Sequence, residues 1–142
     1  MKLLGLLNET INKKRLISLL KTMDITGEDA KSELENIVSY VKELPEELKL
    51  YRILSVDSKD DINKEELGSH YSTDRKNLLS SHDYVTGSGE EYYLVTVKAK
   101  KSMVDVMETL ENNILYPNEK EITLKNKGKG VEIISTKKIN KG

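Results

Sequence analysis

Three short segments of this chain carry residue types that can bind an anion, orient a sugar and stabilise positive charge. Glu119 and Glu121 flank Lys120 in a β-prone stretch that runs to Leu124. Side chains alternate across a strand, so both carboxylates would project from one face while Ile122 and Leu124 point into a core. Carboxylates held side by side suit chemistry that develops positive charge or moves a proton. A solvated strand face explains the same pair, and Glu33 and Glu35 repeat the spacing on a predicted helix. Arg52 lies inside the apolar run Leu50–Val56, on a strand face shared with Leu50 and Leu54. A partly buried guanidinium needs an anionic partner, either a carboxylate of the chain or a phosphate of a ligand. The third segment is His70-Tyr71-Ser72-Thr73-Asp74. A serine at a strand end can orient a carboxylate or hydrogen-bond a ribose hydroxyl. It can equally close the strand, with Asp74 capping a helix that carries Leu78 and Leu79.

These segments need elements to hold them. Leu4, Leu7 and Ile11, then Leu16, Leu19, Leu20 and Met23, mark an apolar helical face. Asp24-Ile25-Thr26-Gly27 breaks it, and Thr26 with Asp29 fits a capping box for the next helix. Leu34, Ile37, Val38, Val41 and Leu44 form one stripe of that helix, and Pro45 ends it. Strands are predicted at 50–56, 68–73, 92–97, 119–124 and 131–135, with a polar loop or short helix at 60–67 and a helix near 102–113. Gly87-Ser88-Gly89 and Asn126-Lys127-Gly128-Lys129-Gly130 read as turns. Helices followed by mostly short strands predict an α+β fold in a single domain over 1–142. Within it, 1–48 is the helical part, 49–136 the mostly β core and 137–142 a frayed tail.

Composition narrows the classes. The 142 residues carry 23 basic and 24 acidic side chains, a net charge of −1. That balance argues against a general nucleic-acid binder, which needs surplus cations to displace counterions. The chain has no cysteine, so disulfides, thiolate zinc sites and a cysteine nucleophile are excluded. With two histidines, a metal site built mainly on imidazole is not expected. Met1–Leu7 starts like a secretion signal, but Asn8-Glu9-Thr10 interrupts the apolar run, and no stretch reaches membrane-spanning length. A cytoplasmic protein with no membrane association is the expectation.

Taken together, Leu50-Tyr51-Arg52, Tyr71-Ser72-Thr73 and Glu119-Lys120-Glu121-Ile122-Thr123-Leu124 resemble the Arg–Ser–Glu class of ADP-ribosyltransferases in order and rough spacing. The similarity extends to small phage-encoded mono-ADP-ribosyltransferases and covers roughly residues 34–136. It implies a mixed or antiparallel two-sheet core, NAD as the substrate that donates ADP-ribose, and no metal. Arg52 would hold the NAD phosphates or the adjoining ribose, and Ser72, with Thr73 and Tyr71, would position the nicotinamide ribose. Glu121 would stabilise the charge that develops as nicotinamide leaves. Glu119 would orient and help deprotonate an acceptor on a protein, arginine being favoured. The segment Asn112–Asn118 would face the acceptor, with Tyr116 and Asn118 in contact. The chain departs from the pattern at Asp74, which occupies the third position of a Ser-Thr-Ser element. His70-Tyr71 is also similar to the histidine-containing class of these enzymes, but a second tyrosine and matching acid are not identifiable.

Two other readings compete. One is a catalytically silent interaction module that keeps the transferase fold, with Asp74 as its sign. The other is an unrelated helix-plus-sheet protein whose partner or dimer surface is the N-terminal region of Leu3, Leu4, Leu6 and Leu7.

Overall fold

The computed structural model describes residues 11–80, 85–117 and 120–140. Helix α1, Lys13–Thr22, begins at Asn12, whose side chain accepts the Arg15 N–H and satisfies one orphan donor of the first turn. Leu16 and Leu20 are buried, but Met23 is 42% exposed, so the expected apolar face stops short of it. Asp24 turns the chain at φ 61. Helix α2, Gly27–Lys42, buries Ile37 and Val41 and packs Leu34 and Val38 at the margin of the core, as the stripe predicts. Thr26 stands at its N-cap without a side-chain hydrogen bond, so the capping box expected with Asp29 is not formed. At the other end, the Lys101 ammonium donates to the carbonyls of Lys42 (2.6 Å) and Leu44 (2.7 Å). A cation there meets the negative end of the helix dipole and the last unpaired carbonyls.

The strands are β1 (Glu47–Val56), β2 (His70–Ser72), β3 (Val85–Thr86), β4 (Glu91–Lys100), β5 (Glu121–Thr123) and β6 (Glu132–Ile139). All six belong to one sheet in the order β5-β2-β1-β4-β6, with β3 lying parallel to β1. The remaining pairings are antiparallel. This differs from the two-sheet arrangement expected, because β2 hydrogen-bonds to β1 and β5 to β2, extending the same sheet instead of stacking over it. Strands β1 and β4 pair without interruption from Glu47↔Lys100 to Val56↔Glu91, both longer than their apolar centres suggest. The β region therefore begins before residue 49. It also ends after 136: Lys137, Lys138 and Ile139, expected to fray, pair with Leu94, Tyr93 and Tyr92. The segment 59–66 forms two short 3₁₀ turns.

Helix α3 (Arg75–Ser80) starts after Asp74, whose Oδ1 accepts the Asn77 N–H at 3.0 Å. Helix α4 spans Val106–Leu115, and Asp105 caps it by accepting the Glu108 N–H. One face of the sheet, through Leu48, Leu50, Leu54, Val95, Val97, Tyr71, Ile122 and Leu124, forms the main core with α1, α2 and α4. The other face carries a smaller cluster, where Leu78 of α3 covers Ile53 and Leu94. Helices and sheet thus share a core, and burial of these apolar faces is the main term holding them together. No described helix is long and apolar enough to cross a membrane.

Candidate functional site

The three segments singled out above lie side by side, on β5, β2 and β1. Ser72 is paired with Glu121 on one flank and with Tyr51 on the other. Thr73 N–H donates to Lys120 O and Leu124 N–H to Ser69 O, so hydrogen-bonded pairs bracket the Ser72–Glu121 pair, itself of the non-hydrogen-bonded kind. Side chains of such a pair are closest, with Cα atoms about 4.5 Å apart.

The Glu121 side chain is 14% exposed and its Oε2 collects two polar neighbours. Thr123 Oγ1 donates to it at 3.2 Å, and His70 Nδ1 lies 3.3 Å away. Thr123 Oγ1 in turn accepts from Asn112 Nδ2 at 3.1 Å. A carboxylate fixed in this way cannot swing freely, which is what charge stabilisation in a transition state requires. Ser72 is 5% exposed, and its Oγ accepts the Asp74 N–H at 3.0 Å.

Arg52 occupies a different position from that of a simple cluster with these groups. Alternation along β1 sends it out on the face of Tyr71, opposite to Tyr51 and Ser72. Its guanidinium lies 5.7 Å from the Tyr71 ring centroid, and Nη1 donates to the carbonyl of His70 at 2.8 Å. Strand β2 has a single registered pair with β1, and β3 takes over beside it at Ile53 and Leu54. Arg52 thus sits where β2 and β3 fork, bonding a carbonyl that the β1 ladder no longer serves. Burial lowers its pKa from the ordinary value, while Tyr71 and Glu121 oppose that shift. Burial raises the Tyr71 phenol, against the nearby Arg52 charge.

Gly68 makes the fork possible. It has φ +90, and a Cβ there would stand 2.8 Å from Arg52 Nη1.

The remaining expected residues divide. Thr73 turns toward α2, with its Oγ1 2.9 Å from the Tyr40 hydroxyl. Tyr116 is 52% exposed just beyond α4. Glu119 and Asn118 lie outside the described residues. The alternation used for Glu119 and Glu121 does not carry across Lys120, which has φ 51 and so is not extended; β5 begins only at Glu121. Asn112 and Asn113, expected in an acceptor-facing loop, are in the last turns of α4, where Asn113 Nδ2 donates to the carbonyls of Thr109 and Glu121. Among the described residues no group of three or more His, Asp or Glu converges to hold a metal ion.

Sequence reasoning missed the parts of Thr123 and Asn112 in holding the Glu121 carboxylate, and it missed Tyr40. Thr123 had a signal, since it is two residues from Glu121 on a strand and must share its face. Asn112 had none, because only the packing of α4 against β5 brings it there.

The site and fold define an α+β protein with a polar carboxylate site where three strands meet. No protein-family model, curated protein or solved structure matches the chain.

Proposed function

We propose that the chain is a mono-ADP-ribosyltransferase that moves ADP-ribose from NAD to a protein side chain, arginine being the favoured acceptor. The observation that carries the reading is the Ser72–Glu121 pair, set beside the β1 strand that bears Arg52. Three segments far apart in sequence, picked for one chemistry, converge on adjacent strands.

In this reading the bond between the ribose C1′ and nicotinamide breaks, and nicotinamide leaves with the electron pair. Positive charge develops on the ribose, and the fixed Glu121 carboxylate stabilises it, as in glycoside hydrolysis. Thr123 and His70 hold that carboxylate, and Ser72 beside it positions the nicotinamide ribose. Arg52 points to the opposite face of the sheet from Ser72 and Glu121, so in this reading it acts on the site through β2 and not on the phosphates. Its bond to His70 O fixes the strand that carries Ser72. The acceptor nitrogen attacks C1′ and gives up its proton to Glu119, the base assigned by the resemblance, and exposed Tyr116 is the acceptor contact. The single-sheet carboxylate site suits an active enzyme better than a silent module, because Glu121 is oriented by two side chains and not left in solvent.

The test is incubation with labelled NAD and a bacterial lysate, comparing wild type with Glu121→Gln. Label on protein with wild type and not with the variant is expected. Absence of both label transfer and nicotinamide release from wild type would overturn the reading.

A further inference from the structure

Lys120 has φ 51, in the left-handed region that side chains other than glycine seldom adopt. It directly precedes Glu121, so its conformation sets where β5 begins. Three groups converge on its carbonyl: Thr73 N–H at 3.1 Å, Thr73 Oγ1 at 3.3 Å and the Tyr40 hydroxyl at 3.2 Å. The Tyr40 hydroxyl is also 2.9 Å from Thr73 Oγ1. The Lys120 ammonium lies 5.7 Å from the Tyr40 ring centroid, a cation–π contact that closes the arrangement from outside. Tyr40 belongs to α2, its ring packed at the margin of the main core and its hydroxyl reaching β2 and β5.

We infer that Tyr40 is a positioning residue: with Thr73 it clamps the Lys120 peptide in its left-handed conformation and thereby holds Glu121 opposite Ser72. Resting on the reading that Glu121 carries the chemistry, this gives α2 a part in the site. Thr73, on the same geometry, acts through the clamp. A strained residue persists where its surroundings over-determine it, and such residues cluster at sites that need fixed geometry.

The test uses Tyr40→Phe alone and combined with Lys120→Gly, because glycine adopts positive φ without strain and so needs no clamp. Two readouts are independent of any activity: hydrogen exchange of the Thr73 amide and the cross-strand contact between Ser72 and Glu121 seen by NMR. Tyr40→Phe should speed exchange at Thr73 by about threefold to tenfold, the loss of one hydrogen bond's protection, and weaken the contact. Amides of the β1–β4 ladder should be unchanged, and adding Lys120→Gly should restore both readouts. Where NAD turnover is measured, Tyr40→Phe should lower kcat by roughly tenfold or more with KM little changed, as misplacement of a catalytic group does. Equal Thr73 exchange in wild type and Tyr40→Phe, general loosening of the sheet, or failure of Lys120→Gly to rescue would overturn the inference. An inert wild type with the Thr73 and Ser72–Glu121 responses intact would remove the proposed reaction and leave the clamp standing.

Discussion

Arg52 Nη1 donates to the carbonyl of His70 at 2.8 Å, and the ring of that same histidine approaches the Glu121 carboxylate at 3.3 Å. One residue of β2 thus links the cation on one face of the sheet to the acid on the other. The link forms because β2 leaves β1 after one pair, so a side chain takes the bond that a ladder would otherwise make.

Gly68→Ala tests the fork. A methyl group would press on Arg52 at a backbone angle that alanine resists, and the expected loss of stability is about 1–3 kcal/mol. Urea unfolding measures it. A stability equal to wild type would show that Arg52 is free to move away and that the fork is not fixed.

Thr109→Val tests how β5 is held. Thr109 Oγ1 accepts the Thr123 N–H at 3.0 Å and donates to the Thr123 carbonyl at 3.3 Å, shielding the outer edge of the sheet beside Glu121. Valine keeps the shape and leaves a buried N–H without a partner, at a cost of about 1–3 kcal/mol. Thr109→Ser should recover most of it. Thermal melts of the two variants check the difference.

These contacts show what the sequence conveys and what it withholds. Helix α2 was legible because Leu34, Ile37, Val38 and Val41 repeat at helical spacing, and β4 because β-branched and aromatic residues fill it. Ser72 and Glu121 were legible as residue types in apolar surroundings. The start of β5 was not, because lysine carries no mark of the left-handed conformation that Lys120 adopts. Strand β6 looked like a tail beyond Ser135, since its lysines contribute backbone pairing more than apolar burial. Tyr40 lies three residues past Ile37, at the flank of the stripe, where a tyrosine reads as ordinary packing until β2 and β5 are in place.

Alkaline pH should weaken the fold through two phenols. Burial raises the pKa of Tyr40 and of Tyr71 above the unfolded value of 10.0. A raised folded pKa means that stability is fully present below the unfolded value and is lost as pH rises from it through the folded one. Urea midpoints should therefore hold steady up to the approach to 10.0 and then fall. Replacing both residues by phenylalanine should flatten that decline, with stability at neutral pH reduced by the lost hydroxyl bonds. A decline of the same steepness in the double variant would remove the phenols as its cause.

The central claim is that NAD binds where β5, β2 and the β1 fork meet. NMR titration of the ¹⁵N-labelled protein with NAD measures this most directly. The account predicts shifts concentrated at Ser72, Glu121, Thr123, His70 and Arg52, reduced in Glu121→Gln. No shift at millimolar NAD, or shifts confined to residues away from β2 and β5, would contradict it.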